Sequence, residues 1–600
     1  MDQENLNDKP QPGAESPEQQ PANFLQDQQL EAVRAARRLL AQLSLPLETA
    51  SVEENRRILA SIQTQLDDYI LPRLSSLDAP LTVVVGGSTG AGKSTLVNTL
   101  LGQAITRSGS IRPTTRQPVL IHRPEDARAV TPERILPHLK RIKTSGVGEL
   151  VGADRADIDQ IFTVETEAIP AGIALIDAPD IDSVSEDNRR LAKQLLAAAD
   201  LWLFVTTANR YADAVPWELL KEAAGKDITI AVVLNRVAEG NEEEIETDLS
   251  RMLEEAGIVP AHLLTVNEQE RDQEGMLPQV ALAPLIFWLR ELGADSAQRS
   301  QIARQTLEGA LRSVAERMQT ICQAQQEQEE THQRLLAAVN QSYRQGQSSI
   351  IDSTQDGALL RGEVLARWQD FVGTGEFFRS IEAGIGRIRD RISSFFKGQP
   401  SQAIEVEQAL EVGLHSIIIE QAAQAAENTQ GLWLEEKAGR ALLAGRDLGQ
   451  LDEDFPEYVA QGIRDWQQDL LTMISQEGAS KRQRARFMSL GVNAAAVILM
   501  VAVFSMTGGL TGLEVGIAGG SGVVGTKLLE AVFGEDAVRR MAQGARRNLE
   551  TRIQELLDQH SSLFKDILAT VELGPPSGQL DQDRQLLADL ARSLKGVKHD

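Results

Sequence analysis

An apolar, β-branched run, Leu81-Thr82-Val83-Val84-Val85, passes through Gly86 into Gly87-Ser88-Thr89-Gly90-Ala91-Gly92-Lys93-Ser94. No other stretch restricts the fold as much. The run reads as a buried parallel strand, and Leu96, Val97, Leu100 and Leu101 beyond it recur at helical spacing. The loop between them matches G-x-x-x-x-G-K-[ST] at every fixed position. Glycines let successive backbone N–H groups point inward at a phosphate, and the following helix offers its positive end. Lys93 is expected to reach the β- and γ-phosphates, and the Ser94 hydroxyl to ligate Mg2+. Gly87 to Ser94, with Thr95 behind them, are the expected nucleotide-binding residues. The bland alternative is a chance glycine-rich turn, and the flanking strand and helix weigh against it.

Six hundred residues exceed what one hydrophobic core supports, so about two to four structural units are expected. Sixty Lys and Arg against 86 Asp and Glu leave a net charge of −26. Nonspecific nucleic-acid binding by the whole chain is therefore not expected, although a local basic patch suits an anionic surface. The single cysteine, Cys322, excludes internal disulfides and thiolate zinc clusters and fits a reducing cytosol. The start, Met1-Asp2-Gln3-Glu4, is acidic and polar, and no secretory leader is expected.

The chain divides by pattern. Residues 1–24 are polar and read as a disordered acidic tail. Residues 25–78 are helical, broken at Leu45-Pro46, with apolar faces that need a partner. Strand and helix alternate over 79–292, predicting strands at 81–85, 118–122, 162–166, 172–176, 201–206, 228–234 and 263–266. Helices fall between them, which gives an α/β domain with a largely parallel sheet. Over 293–480 strand signals nearly vanish and long helices are expected. Residues 541–600 return to amphipathic helix.

Between these helical parts, at 481–540, lies a different composition. Lys481, Arg482, Arg484 and Arg486 precede an uncharged run from Phe487 to Leu513 that contains Leu499, Val501 and Phe504. That run is long enough for the roughly 30 Å hydrocarbon core of a bilayer. A shorter glycine-rich run, Val515 to Thr526, follows, and arginines return at 539, 540, 546 and 547. Positive charge on both sides places both ends on the cytoplasmic face, so a membrane hairpin is expected. A buried helical pair within a bundle is the other reading.

Three later motifs bear on the bound phosphate. Thr115, in Pro113-Thr114-Thr115-Arg116-Gln117-Pro118, stands where switch GTPases carry a threonine that ligates Mg2+ and reports the γ-phosphate. Asp177, closing the strand Ala174-Leu175-Ile176, matches the D-x-x-G aspartate that holds Mg2+ through water. Asp180 occupies the glycine position of that motif, where an acid should repel the γ-phosphate unless it turns away. Asn235 and Arg236 fit the first half of the base-reading [NT]-K-x-D, but Ala238 supplies no carboxylate for guanine; Glu239 lies one residue along. Weak discrimination against adenine is the expected consequence.

The pairing T-R-x-P at Thr115 to Pro118 resembles the dynamin superfamily. With Leu81–Leu101, Ile111–Leu120, Asp177 to Val184, Ala199–Trp217 and the glycine-rich segment from Thr507 to Gly520, the chain resembles bacterial dynamin-like proteins, and an actinobacterial group among them. The resemblance runs from about residue 80 to 545. It implies an α/β P-loop head, a long all-α neck and stalk, and an apolar membrane hairpin at the far end. It also implies GTP and Mg2+ as cofactors, with Lys93 and Thr115 catalytic and Ser94, Thr115 and Asp177 at the metal. Self-assembly on anionic lipid at the cytoplasmic side of a membrane follows from it, as a homo-oligomer or with a second dynamin-like protein. Thr89 and Gly90 stand where eukaryotic dynamins carry Gln and Ser, so slow hydrolysis is expected. The main alternative is a nucleotide-binding membrane scaffold that hydrolyses little and partners a more active relative. An ATP-driven transporter subunit fits poorly, for want of a second acid after Asp177 and of a signature loop.

Overall fold

The computed structural model describes residues 19–77, 79–106, 117–132, 134–144, 159–181, 186–355, 359, 363–372, 400–477, 492–505, 529–530 and 533–595. In chain order the first helices are α1 (Gln19–Ala41), α2 (Val52–Gln65), a π-helical turn (Leu66–Ile70) and α3 (Leu71–Ser75). Then come β1 (Leu81–Gly87), α4 (Lys93–Leu101), β2 (Val119–His122), β3 (Lys140–Lys143), β4 (Gln160–Glu165) and β5 (Ile173–Asp177). They are followed by α5 (Glu186–Ala197), β6 (Leu201–Thr207), α6 (Ala214–Gly225), β7 (Thr229–Val237), α7 (Glu242–Glu255), β8 (His262–Asn267) and α8 (Ala283–Ala294). The remaining described elements are helices: α9 (Ser296–Gln355), α10 (Glu363–Val372), α11 (Pro400–Glu435), α12 (Lys437–Leu443), α13 (Phe455–Glu477), α14 (Val492–Ser505), α15 (Glu535–Ala569) and α16 (Ser577–Lys595). Two compact units divide the chain, one of residues 1–45, 51–326 and 573–600, the other of 46–50 and 327–572.

The first unit is built on one sheet in the order β3-β4-β2-β5-β1-β6-β7-β8, parallel except where β2 meets β5. All seven residues of β1 are buried, as a central strand covered on both faces demands. Side chains alternate across it. Val84 joins Ile176, Trp202, Phe204 and Leu234 in the core under α5, α6 and α7. Val83 and Val85 point the other way, to Leu96, Val97, Leu203 and Val233 beneath α4 and α8. The register sets Val85 beside Asp177 and Gly87 beside Val205, so the carboxyl ends of β1, β5, β6 and β7 share one edge. Open parallel sheets bind ligands at such an edge.

Seven strands lie at or within a few residues of their sequence-based positions, and β3 is the one missed. Its residues, Lys-Arg-Ile-Lys, carry no apolar alternation because β3 is the outermost strand, where lysine guards an open edge. The first helix starts at Gln19, inside the stretch read as tail, while residues 1–18 lie outside the described part.

A third core in the same unit joins Leu40 of α1 and Ile62 of α2 to Leu307, Leu311 and Met318 of α9 and Leu587 of α16. Beside it sits a buried polar knot. Asp200, fully buried ahead of β6, accepts hydrogen bonds from Tyr69 Oη at 2.9 Å and the Thr82 amide at 2.7 Å, and pairs with Arg73. Arg73 also donates to the carbonyls of Ala79 and Pro80, at 3.2 Å each.

The second unit is helical. Trp433 and Trp466 are fully buried, and their indole N–H groups donate at 3.0 Å to the carbonyls of Leu335 and Ala545. A large apolar body with a satisfied polar tip suits an α-helical core. His560 is also buried, 2% exposed, with Nδ1 2.6 Å from the Tyr343 hydroxyl and Phe455 edge-on at 5.1 Å. Burial depresses its pKa, and Asp452 opposes the shift. A base whose folded pKa lies below its unfolded value adds stability that is complete above the unfolded value, near 6.5, and is lost as pH falls. The slope contributed is at most about 1.4 kcal/mol per pH unit. Thermal unfolding measured at pH 7.5 and 5.5 should therefore show a smaller loss for His560→Phe than for the parent chain. Equal losses would rule His560 out as the source.

Of the expected hairpin at 481–540, residues 492–505, 529–530 and 533–540 are described, and its first apolar run is represented by α14, 14 residues long. At 1.5 Å per residue it spans about 21 Å, short of a bilayer core. No helix among the described residues is long and apolar enough to cross a membrane. Leu499, Val501 and Phe504, the residues assigned to the membrane from sequence, are buried inside the second unit, at 0, 1 and 1% exposure. α11, α13 and α15 pack around α14, and Phe504 lies 5.8 Å from the Trp466 ring. A helix apolar on every side needs covering on every side, and here protein supplies it. Lys481, Arg482, Arg484, Arg486 and the second apolar run lie outside the described residues.

Candidate nucleotide site

The loop after β1 is shaped by its glycines and braced by two neighbouring strands. A Cβ on Gly87 would stand 2.0 Å from the Val205 carbonyl oxygen, so only glycine lets β1 run this close to β6. Gly92 has φ +95°, and a Cβ there would meet Asn235 Nδ2 at 2.6 Å. That Nδ2 donates to the Ala91 carbonyl at 2.8 Å, while Asn235 Oδ1 accepts the Arg236 amide at 3.0 Å. From the end of β6, Arg210 donates to the Thr89 carbonyl at 2.8 Å and pairs with Asp213 at 2.9 Å. Asn98 of α4 fastens the next turn, accepting the Ile105 and Thr106 amides at 2.9 and 2.8 Å.

At the centre, Lys93 and Ser94 begin α4 and Asp177 ends β5, all three buried. Ser94 Oγ donates to Asp177 Oδ2 at 2.8 Å. Burial pushes the Asp177 carboxyl up to about 6, against the Ser94 hydrogen bond and the nearby Lys93 charge. Its other oxygen, Oδ1, is buried without a hydrogen-bond partner, as is Ser88 Oγ. A buried carboxylate oxygen with no donor, beside an oriented hydroxyl, fits a small hard cation. No described cluster of three His, Cys, Asp or Glu could hold a metal by itself. Mg2+ does not need one, since it takes one or two protein oxygens and completes its shell from phosphates and water. Ser94 and Asp177 would hold it; Thr115 lies outside the described residues.

A model of the dynamin family matches residues 83–237, from within β1 to the end of β7. That segment is dynamin-like. No curated protein matches it. Among solved structures, an oligomerised bacterial dynamin pair, described as a mechanism for long-range sensing and tethering of membranes, is 12% identical. That match covers 97% of this chain and 100% of the other, at a TM-score of 0.31. LeoA, a bacterial dynamin GTPase from ETEC, is 11% identical over 96% of this chain and 95% of its own, at 0.22. Era, solved with MgGDPNP and nucleotides of 16S ribosomal RNA, is 16% identical over 35% of this chain and 57% of its own, also at 0.22. TM-scores this low establish neither fold nor activity, and the family assignment rests on the matched head.

In this dynamin-like head, Ser94 and Lys93 lie together with Asp177. Asn235 reaches the loop as well, donating one N–H to the Ala91 carbonyl and accepting the Arg236 amide. Arg236 follows with φ +58°, a left-handed conformation. Asp180 does not turn away. Only 6% exposed, it forms an ion pair with Lys93. Arg210 was missed, because nothing in Thr207-Ala208-Asn209-Arg210 signals a contact 121 residues back at Thr89. The second motif departure, Ala238, leaves the base side without its usual acid.

Proposed function

We propose that this protein is a dynamin-like GTPase that binds guanine nucleotide with Mg2+ and works on membranes through nucleotide-dependent self-assembly. One observation carries the reading: the dynamin-family segment holds Lys93, Ser94 and Asp177 converged at the mouth of a braced phosphate loop. When bound, Mg2+ supplies charge neutralisation for the phosphates. The chain's own part is to point loop amides and the Lys93 ammonium at them and to keep Asp177 in place through Ser94. Phosphoryl transfer depends mainly on such positioning and charge. Membrane association rests on the basic residues of 481–486, each worth about 1 kcal/mol near an anionic surface, with less from 539–547, where Arg539, Arg540 and Arg546 pair with Glu535, Glu477 and Glu550. In this reading the apolar segment is released from the bundle to insert.

A second reading, a scaffold that binds nucleotide and hydrolyses little, is favoured by the Lys93–Asp180 pair and by Ala238. Phosphate release from GTP and from ATP, with and without anionic liposomes, separates the two. Turnover of GTP that rises on liposomes and vanishes in Lys93→Ala supports the enzyme. Binding without turnover moves the assignment to the scaffold, and turnover of ATP alone overturns guanine specificity.

A further inference from the structure

The Lys93 ammonium has three N–H donors. All three are taken inside the chain: by the Gly87 carbonyl at 3.0 Å, the Ser88 carbonyl at 3.2 Å and the Asp180 carboxylate. The first two come from the loop itself and hold the side chain where a phosphate-binding lysine must lie. The third is different in kind, because it brings a full negative charge. Lys93 is 4% and Asp180 6% exposed, so the pair is shielded from solvent and weakly screened. Asp177 adds a second carboxyl to the same pocket. Arg210, a second described cation at the loop, donates to the Thr89 carbonyl and to Asp213. The pocket that must accept a polyanion is thus already compensated by its own acid.

We infer that Asp180 is an internal stand-in for the terminal phosphate, one that a nucleoside triphosphate must displace from Lys93 before it is held, so that Asp180 sets the balance between tri- and diphosphate binding. This rests on the nucleotide-binding reading above. An incoming γ-phosphate competes for the donor that Asp180 holds, and the released carboxylate then lies close to that phosphate's charge. A diphosphate places less charge beside the Asp180 position and meets less of this opposition. The wild-type head accordingly favours the diphosphate more than the same loop without the acid.

The test uses the full-length protein with Mg2+ and fluorescently labelled GDP or a labelled non-hydrolysable GTP analogue, with the adenine pair in parallel. Asp180→Asn, which keeps the shape and removes the charge, should bind the triphosphate analogue about tenfold more tightly and the diphosphate less than threefold more tightly. Asp180→Gly should do the same. Thermal unfolding supplies the second readout. Without nucleotide, Asp180→Asn should melt below wild type, because Lys93 has lost its counter-charge. With saturating triphosphate analogue the gap should close, since phosphate replaces the carboxylate; a purely structural Asp180 would leave the gap unchanged. Unchanged affinities in variants that still bind nucleotide would overturn the inference and leave the nucleotide-binding reading standing. If neither wild type nor variants bind any of the four nucleotides, both fall.

Discussion

Lys93→Ala is expected to weaken binding of a labelled GTP analogue at least a hundredfold. The ammonium is the charged donor fixed at the loop's centre, and a hydrogen bond to a charged group contributes about 1.5–3 kcal/mol. Two such bonds to β- and γ-oxygens give a hundredfold or more, at about 1.4 kcal/mol per decade. The substitution also strands Asp180, whose carboxylate would then face the phosphates with no counter-charge. Removing one partner of a buried pair destabilises a protein where removing both often does not. Lys93→Ala should therefore melt below wild type, and Lys93→Ala/Asp180→Ala should regain part of the difference in stability, with affinity rising above Lys93→Ala but staying well below wild type. Titration by fluorescence anisotropy reads the first effect and calorimetry the second. Binding within threefold of wild type would remove the loop from the nucleotide site.

Asp200→Ala should be strongly destabilising, costing about 3–5 kcal/mol. The carboxylate is fully buried and is the anionic partner of Arg73, itself 6% exposed. It also takes the Tyr69 hydroxyl and the Thr82 amide, so its loss leaves one charge and two donors unsatisfied beneath β1. Thr82 lies on the strand that ends at the phosphate loop. Denaturant unfolding followed by far-UV circular dichroism should show an early transition, accompanied by weaker nucleotide binding. Asp200→Asn, which keeps the shape and part of the hydrogen bonding, should lose less. A midpoint unchanged in Asp200→Ala would mean that the knot adds nothing to stability.

The head was legible because its signals are local. Near-continuous apolar runs in 81–85 and 201–206 and the spacing of Gly87, Gly92, Lys93 and Ser94 are read within a dozen residues, and the sheet forms around them. Asp177 was legible for the same reason, as the polar end of an apolar strand. What the sequence hides is partnership at long range. Nothing near Asp180 says whether its carboxylate turns outward or onto Lys93, 87 positions away. Arg210 and Asn235 act on carbonyls of the loop, and any arginine or asparagine there would read the same. Apolar composition is ambiguous in another way: the residues around Leu499 and Phe504 satisfy the pattern for lipid and for the interior of a bundle equally well. Trp466, which decides their described surroundings, lies in a separate helix.

Asn235 has a consequence for how this head tells one base from another. Both polar atoms of its side chain are committed, one to a phosphate-loop carbonyl and one to the next backbone amide. It is a fastener, and its cost in conformational freedom is met when the chain folds rather than when a ligand arrives. Each atom keeps one further hydrogen-bonding position, so the same side chain that braces the loop can still meet a base, and any change at Asn235 will be felt first as a loosened phosphate loop. The end of the molecule that should read the base is mechanically part of the end that holds the charge.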